Sequence, residues 1–386
     1  MRGADYADLL PRVAEIVGDV RDRGDAALRD WAEKLDGAVP IALRVPPEEI
    51  ANAELDEATL AAVRELARTV REFHELQRPD GFTHAPFPGI ETERRWLPLE
   101  SVGVYVPGGK TPLPSSLVMT VVPAQVAGVE RIAVATPKPV PAILATAREL
   151  GVTEIYAIGG AQAIAALAYG TETVQRVDKI VGPGQSWTTA AKLLVSSFVG
   201  IDLPAGPSEV LIVADGSADP ALVAADLLAQ AEHGPGSESI LVTPDEALAD
   251  AVLALVGAAE QVQTRLVASL DDALAFTNEY APEHLQLMGA EAEALLPRVR
   301  HAGAIFLGDA SAVLGDYAVG TNHVLPTGGL ARARGGLGLE DFLKPIEIVR
   351  ANAEGLEAVR PIVAALSAIE GLPLHGAAVE ARFVPR

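Results

Sequence analysis

The chain has 386 residues and a formal net charge of −22; nearly half the residues are apolar, few are aromatic and none is cysteine. Such a length allows two or more compact units around a sizeable core. The acidic balance excludes a dominant contact with nucleic acid or anionic membrane surfaces, and the lack of cysteine excludes disulfides, thiolate metal sites and cysteine nucleophiles.

Met1 to Glu15 shows no basic start followed by an apolar core, and no apolar run reaches the roughly 20 residues that span a bilayer. A cytoplasmic protein is expected. Residues 5–37 predict an acidic, Ala-rich amphipathic helix interrupted near Arg23-Gly24-Asp25, and 56–78 a second long helix. Asp80 to Pro88 reads as a loop. From Val102 the pattern changes to short strands alternating with helices. Strands are expected at 102–106, 131–136, 154–158 and 179–181, with helices at 115–127, 139–150, 160–168 and 186–198. A second alternation follows, with strands at 210–214, 239–243, near 264–269 and 304–307 and helices at 220–232, 246–260 and 271–280. Strands alternating with helices in this way signal parallel sheets built from βαβ units. The fold class is therefore α/β. A Gly- and Arg-rich stretch, 327–338, precedes a last helix at about 354–369.

Four segments offer chemistry. Gln230-Ala-Glu-His233 closes an apolar helix before Gly234-Pro235, so Gln230 and His233 can face one object. Equally, the imidazole can simply meet the helix C-terminal carbonyls. Glu283-His284 follows Pro282, which places the pair at a bend or a new helix start. The bland alternative is a helix-start Glu beside an incidental His. Gly315 to Pro326, with Asp316, Asn322 and His323, is a polar loop between apolar segments, either a site or Asx-turn chemistry at Asp316 and Asn322. Glu370 and His375 near the end fit a site or a solvated tail. His74, His84 and His301 read as structural or exposed. Glycines end the strands at Val106-Pro-Gly-Gly109, Ile158-Gly-Gly160 and Gly182-Pro-Gly184, where a cofactor could lie along a row of turns, yet no G-x-G-x-x-G occurs.

Several motifs together resemble the histidinol dehydrogenase family: Tyr105-Val-Pro-Gly-Gly109, Gly159-Gly-Ala-Gln-Ala-Ile-Ala-Ala-Leu167, Val181-Gly-Pro-Gly184 and Asp202-Leu-Pro-Ala-Gly-Pro-Ser-Glu209. Gln230-Ala-Glu-His233, Ala281-Pro-Glu-His284 and Gly315 to Thr327 complete the set, in the family's order from about Val20 to His375. The resemblance implies one zinc ion on Gln230, His233, Asp316 and His375, the last coming from the partner subunit of an intertwined homodimer. It implies Glu283 and His284 as the acid–base pair. Ser208, His323 and Glu370 match substrate-holding positions, alongside the metal ligands, and Tyr105, Gln162 and Gln185 match NAD contacts. Position 185 is Gln where the family commonly has Asn. The chain also begins late and ends soon after His375 by the family's measure.

The expected organisation is two Rossmann-like units and a tail. Residues 1–104 with 210–345 form the first, 105–209 the NAD-contacting second, and 346–386 a small helical region that lends its ligand to the partner. The expected reaction oxidises L-histidinol through the aldehyde to L-histidine with two NAD+. Without cysteine no thiohemiacetal can form, so the aldehyde must be hydrated. Glu283 is the candidate base for water, and His284 for the hydroxyl proton. Two rivals are a zinc and NAD enzyme acting on another amino or hydroxy alcohol, and a non-catalytic zinc-binding protein.

Overall fold

The computed structural model describes residues 6, 8–37, 40–108, 112–204, 206–234 and 236–384. Gly109 of the expected glycine turn, Pro235 of the expected helix stop, residues 5 and 7 of the expected 5–37 helix and Ala205 of the Asp202–Glu209 motif lie outside the described residues.

Four helices open the chain: α1 (Leu10–Arg23), α2 (Asp25–Asp36), α3 (Pro47–Ala51) and α4 (Glu57–Glu75). Strands β1 (Phe82–Phe87) and β2 (Ile90–Pro98) follow. The first alternation runs β3 (Ser101–Tyr105), α5 (Pro114–Ala127), β4 (Arg131–Ala135), α6 (Pro141–Glu149), β5 (Ile155–Tyr156), α7 (Gly160–Tyr169), β6 (Lys179–Val181), α8 (Ser186–Val195) and β7 (Gly200–Ile201). The second runs β8 (Glu209–Ala214), α9 (Pro220–Ala231), β9 (Glu238–Thr243), α10 (Glu246–Val256), β10 (Val262–Leu266), α11 (Leu270–Tyr280), β11 (His284–Met288), α12 (Ala290–Glu293), β12 (Ala304–Leu307) and α13 (Ala312–Tyr317). The described chain closes with β13 (Leu343–Ala351), α14 (Ala353–Ile369) and α15 (Pro373–Glu380).

Residues 1–77 with 99–342 form one compact unit and 78–98 with 343–386 another. The first holds two fully parallel sheets, ordered β5-β4-β3-β6-β7 and β10-β9-β8-β11-β12. Within each sheet the first strand of the alternation lies at the centre and the order reverses beside it, which is the doubly wound arrangement. Both faces of such a sheet are covered by helices, so a central strand reads as a continuous apolar run rather than an alternation. Glu209-Val-Leu-Ile-Val-Ala214 is buried at every position. The second unit carries the antiparallel sheet β1-β2-β13 with α14 and α15.

The expected pair of Rossmann-like sheets is present, and the differences lie around it. Helices α1 and α2 pack on the first sheet's helices α7 and α8, not on the second sheet with which 1–104 had been grouped. Val13, Ile16 and Val20 share a core with Ile164, Leu167, Ala190 and Val195. The stretch expected as a loop at 80–88 contains β1. Its side chains are all exposed, so no buried face imprints a two-residue rhythm on the sequence. The C-terminal region expected to be helical also contributes β13, paired along β2 from Leu343 to Ala351. Glu283-His284 sits at neither a bend alone nor a helix start: β11 begins at His284, wedged between β8 and β12. Asp316 belongs to the short helix α13 rather than to a loop.

Candidate active site

The expected acid–base pair, Glu283 and His284, sits at the amino ends of β8 and β11. Helix α11 stops because Ala281 adopts a left-handed backbone (φ 54°), its amide reaching back to the Thr277 carbonyl at 2.8 Å. Pro282 then admits the chain to β11. Glu283 is buried, and its Oε2 accepts hydrogen bonds from Ser208 Oγ at 2.7 Å and the Glu209 amide at 2.8 Å. His284 Nδ1 lies 3.0 Å from the Glu209 carbonyl oxygen. A carbonyl only accepts, so Nδ1 carries the proton and donates, leaving Nε2 as the proton-accepting nitrogen. The carboxylate and imidazole stand 3.5 Å apart. Burial pushes the Glu283 carboxyl above the ordinary range, against the opposing pull of His284, the Ser208 hydroxyl and the Glu209 amide. Glu209 in turn accepts from the Gly328 amide at 2.6 Å.

A second group of polar side chains lies at the end of α9, on α13 and in the segment that follows α13. Gln230 is buried with its amide Nε2 unpartnered. His233, exposed just past the helix, has Nδ1 3.1 Å from the Gln230 carbonyl, which again leaves Nε2 open. Asp316 Oδ1 is 3.8 Å from His323 Nδ1, and His323 Nε2 is 3.2 Å from Ser116 Oγ. Burial pushes the His323 imidazole down; Asp316 opposes that, while His284 and His233 reinforce it. His323 therefore feels both the acid–base pair and the end of α9. Tyr317 likewise feels Asp316 and Glu232. Asn322 behaves as the bland reading held: its Oδ1 accepts from the Val324 amide two residues on, at 2.9 Å.

The imidazole nitrogen of His233 and the carboxylate of Asp316 are donor types that zinc takes, and the side-chain oxygen of Gln230, not its unpartnered Nε2, is the atom that could join them. Among the described residues no three His, Cys, Asp or Glu cluster as a metal site. Glu370 and His375, the remaining expected members, are exposed in the second unit, at the end of α14 and within α15.

The expected NAD contacts line the carboxyl ends of the first sheet. Tyr105 ends β3, and its hydroxyl accepts from the Gly160 amide at 3.1 Å. Gln162, buried in α7, has an unpartnered Oε1. Gln185 is exposed at the N-cap of α8 without capping it through its side chain. Between them Gly182 takes φ +113°, and a Cβ there would sit 2.3 Å from the Tyr105 carbonyl oxygen. The turn is braced by a buried pair: Lys192 Nζ donates to Asp202 Oδ1 (2.7 Å) and the Gly182 carbonyl (2.5 Å), while the Gly182 amide donates to Asp202 Oδ2 (2.7 Å). Strand order reverses between β3 and β6, the position at which doubly wound sheets bind ligands. Six residue steps lead from Asp202 to Ser208, at most about 20 Å of chain, so this turn and the Glu283–His284 pair are tethered closely.

Several contributors escaped the sequence reading. Ser116 opens an apolar helix and looks like an ordinary core helix start. Thr327 Oγ1 accepts from the Gly206 amide at 2.5 Å, and Arg334 donates to the Asp202 carbonyl at 2.6 Å, so the Gly- and Arg-rich stretch straps the segment leading to Ser208. Only the small-residue composition of that stretch signalled it.

The histidinol dehydrogenase family profile matches residues 1–383. Histidinol dehydrogenase of Natronomonas pharaonis is 45% identical over 403 residues, covering 99% of this chain and 95% of that protein. The Thermobifida fusca histidinol dehydrogenase is 47% identical over 410 residues, covering 99% and 93%. The crystal structure of histidinol dehydrogenase from Elizabethkingia anophelis superposes with a TM-score of 0.90 at 37% identity, over 99% of this chain and 93% of that one. A succinate-semialdehyde dehydrogenase from Burkholderia pseudomallei shares the fold alone, with a TM-score of 0.53 at 15% identity over 89% and 86%. Among the described residues no helix is long and apolar enough to cross a membrane. The chain belongs to the histidinol dehydrogenase family and is an NAD-dependent oxidoreductase.

Proposed function

We propose that the protein oxidises L-histidinol through L-histidinaldehyde to L-histidine with two NAD+, the closing steps of histidine biosynthesis. The observation that carries this reading is the buried Glu283–His284 pair, with one imidazole nitrogen tied to a backbone carbonyl and the other open. In the first half, His284 Nε2 takes the proton of the substrate hydroxyl as the carbinol hydride leaves for NAD+. In the second, Glu283 takes a proton from water as its oxygen bonds to the aldehyde carbon. Ser208 and the Glu209 amide both bond Oε2, leaving Oε1 to face that water. His284 returns the proton it took to the aldehyde oxygen as that oxygen becomes the hydrate's second hydroxyl, Glu283 sheds its own to solvent, and the hydrate then gives its hydride to the second NAD+ and a hydroxyl proton to the neutral His284. The acid product then ionises.

Gln230, His233 and Asp316, joined by His375 from a second copy of the chain in a homodimer, would hold a zinc ion. When bound, it supplies a Lewis-acid centre on which the amine and imidazole of histidinol are oriented. His323, Ser208 and Glu370 position the substrate, and Tyr105, Gln162 and Gln185 line the nucleotide. A site with polar partners for an amine and an imidazole rejects alcohols that lack them. The test is NADH formation on L-histidinol against simple amino alcohols and diols. Turnover of L-histidinol to L-histidine with two NADH per substrate is expected; preference for a simple diol would overturn the substrate assignment.

A further inference from the structure

One carboxylate outside this machinery touches all three elements that carry it. Asp226 lies on α9 one turn before Gln230, so the two share a face. Its Oδ2 accepts from Gln286 Nε2 at 2.7 Å and its Oδ1 from Ser311 Oγ at 2.6 Å. Gln286 stands two residues beyond His284 in β11, on the same face of the sheet, and is buried. Its amide also donates to the Ala310 carbonyl at 3.2 Å. Both of those neighbours are acceptors, so the NH2 end must face them, and the orientation of the amide follows. Ser311 is the N-cap of α13, accepting from the Val313 amide, and Asp316 follows four residues into that helix.

We infer that Asp226 is a positioning residue that locks α9, β11 and α13 in the one arrangement where Gln230 and His233, His284 and Asp316 face a common volume. The inference rests on the zinc and substrate roles proposed above. A carboxylate suits the junction because both of its oxygens accept, and bonds to a charged acceptor are short and strong. Each of its two donors sits on a different element, so losing the carboxylate removes one tie from α9 to α13 and one from α9 to β11. None of the three side chains involved needs to touch metal or substrate. The effect would appear in how tightly the separated ligands act together.

The test is zinc affinity of the metal-stripped full chain, read by competition with a chromophoric chelator, with KM values for L-histidinol and NAD+ alongside. Asp226→Ala is expected to weaken zinc binding about 10- to 100-fold and to raise KM for L-histidinol. KM for NAD+ stays unchanged, because the nucleotide turns lie on the other sheet. Asp226→Asn keeps the Gln286 bond and can reverse the Ser311 bond, so it recovers most of both losses. Ser311→Ala weakens zinc in the same direction, and the double variant Asp226→Ala/Ser311→Ala falls short of the product of the single effects. If Asp226→Ala does not fold, Asp226→Asn and Ser311→Ala still decide the matter. Wild-type zinc affinity and KM in Asp226→Ala and Ser311→Ala, in a protein whose wild type binds zinc and oxidises L-histidinol, overturn the inference alone. A wild type that binds no zinc or leaves L-histidinol untouched overturns the functional reading and this inference with it.

Discussion

At the scale of single residues, environment is what separates the roles proposed for Glu283 and His284. Both are buried and both bond to the Ser208–Glu209 segment, but one presents a carboxylate and the other an open imidazole nitrogen. Glu283→Gln is expected to slow the aldehyde-to-acid half selectively, while His284→Asn slows both halves by about 10²- to 10⁴-fold. Feeding L-histidinaldehyde and L-histidinol separately and following NADH distinguishes them. Equal activity of both variants and wild type would sink this division of roles. The raised Glu283 pKa also predicts a pH limb. As a base it works ionised, so aldehyde oxidation falls as pH drops through a pKa lying above the ordinary glutamate range. The stability sign is the reverse. A raised folded-state pKa means Glu283 stabilises the fold below its unfolded pKa and loses that contribution as pH rises through the folded value. Glu283→Gln should therefore lose activity without losing thermal stability at neutral pH, as melting curves across pH would show. His284 and Glu283 were legible as a candidate couple because acid and imidazole adjoin after a proline. Their partner Glu209, which acts through its backbone, left no side-chain signal to read.

At the scale of elements, the glycine turn after β6 depends on a buried ion pair. Lys192 and Asp202 are buried together and bracket both ends of the Gly182 peptide. Removing one member of a buried pair leaves an uncompensated charge, so Lys192→Met is expected to destabilise the protein by about 3–5 kcal/mol in denaturant unfolding. The double change Lys192→Met/Asp202→Leu should cost less than the single one, since no charge is stranded. Gly182→Ala tests the turn directly. Its left-handed backbone and the nearby Tyr105 carbonyl forbid a Cβ, so KM for NAD+ should rise while KM for L-histidinol holds; unchanged nucleotide affinity would remove the turn from the cofactor site. The apolar strands β3, β4, β8 and β9 were readable because burial on both faces writes itself as Val, Ile and Ala runs. Strands β1, β2 and β13 were not, because exposed side chains and an interior proline carry no such record.

At the scale of the whole molecule, the proposed chemistry needs two things beyond one chain: a metal and a second copy. Chelation is expected to abolish L-histidinol oxidation and zinc to restore it, with metal analysis following one ion per chain. Activity that survives complete metal removal would discard the zinc assignment. Sedimentation should give a particle of twice the chain mass, and His375→Ala should lose zinc while leaving that particle intact. The order of motifs and the alternation of short strands with helices determined the fold class and the family from the sequence alone, because covalent order and burial periodicity are local properties of a chain. Which face each residue meets was decided only in three dimensions. The amino ends of β8 and β11 bring Ser208 and Glu209 against residues some 75 positions away, and Ser311 at the start of α13 meets Asp226 of α9. Such meetings come from strand order and helix packing, and no spacing along the chain encodes them.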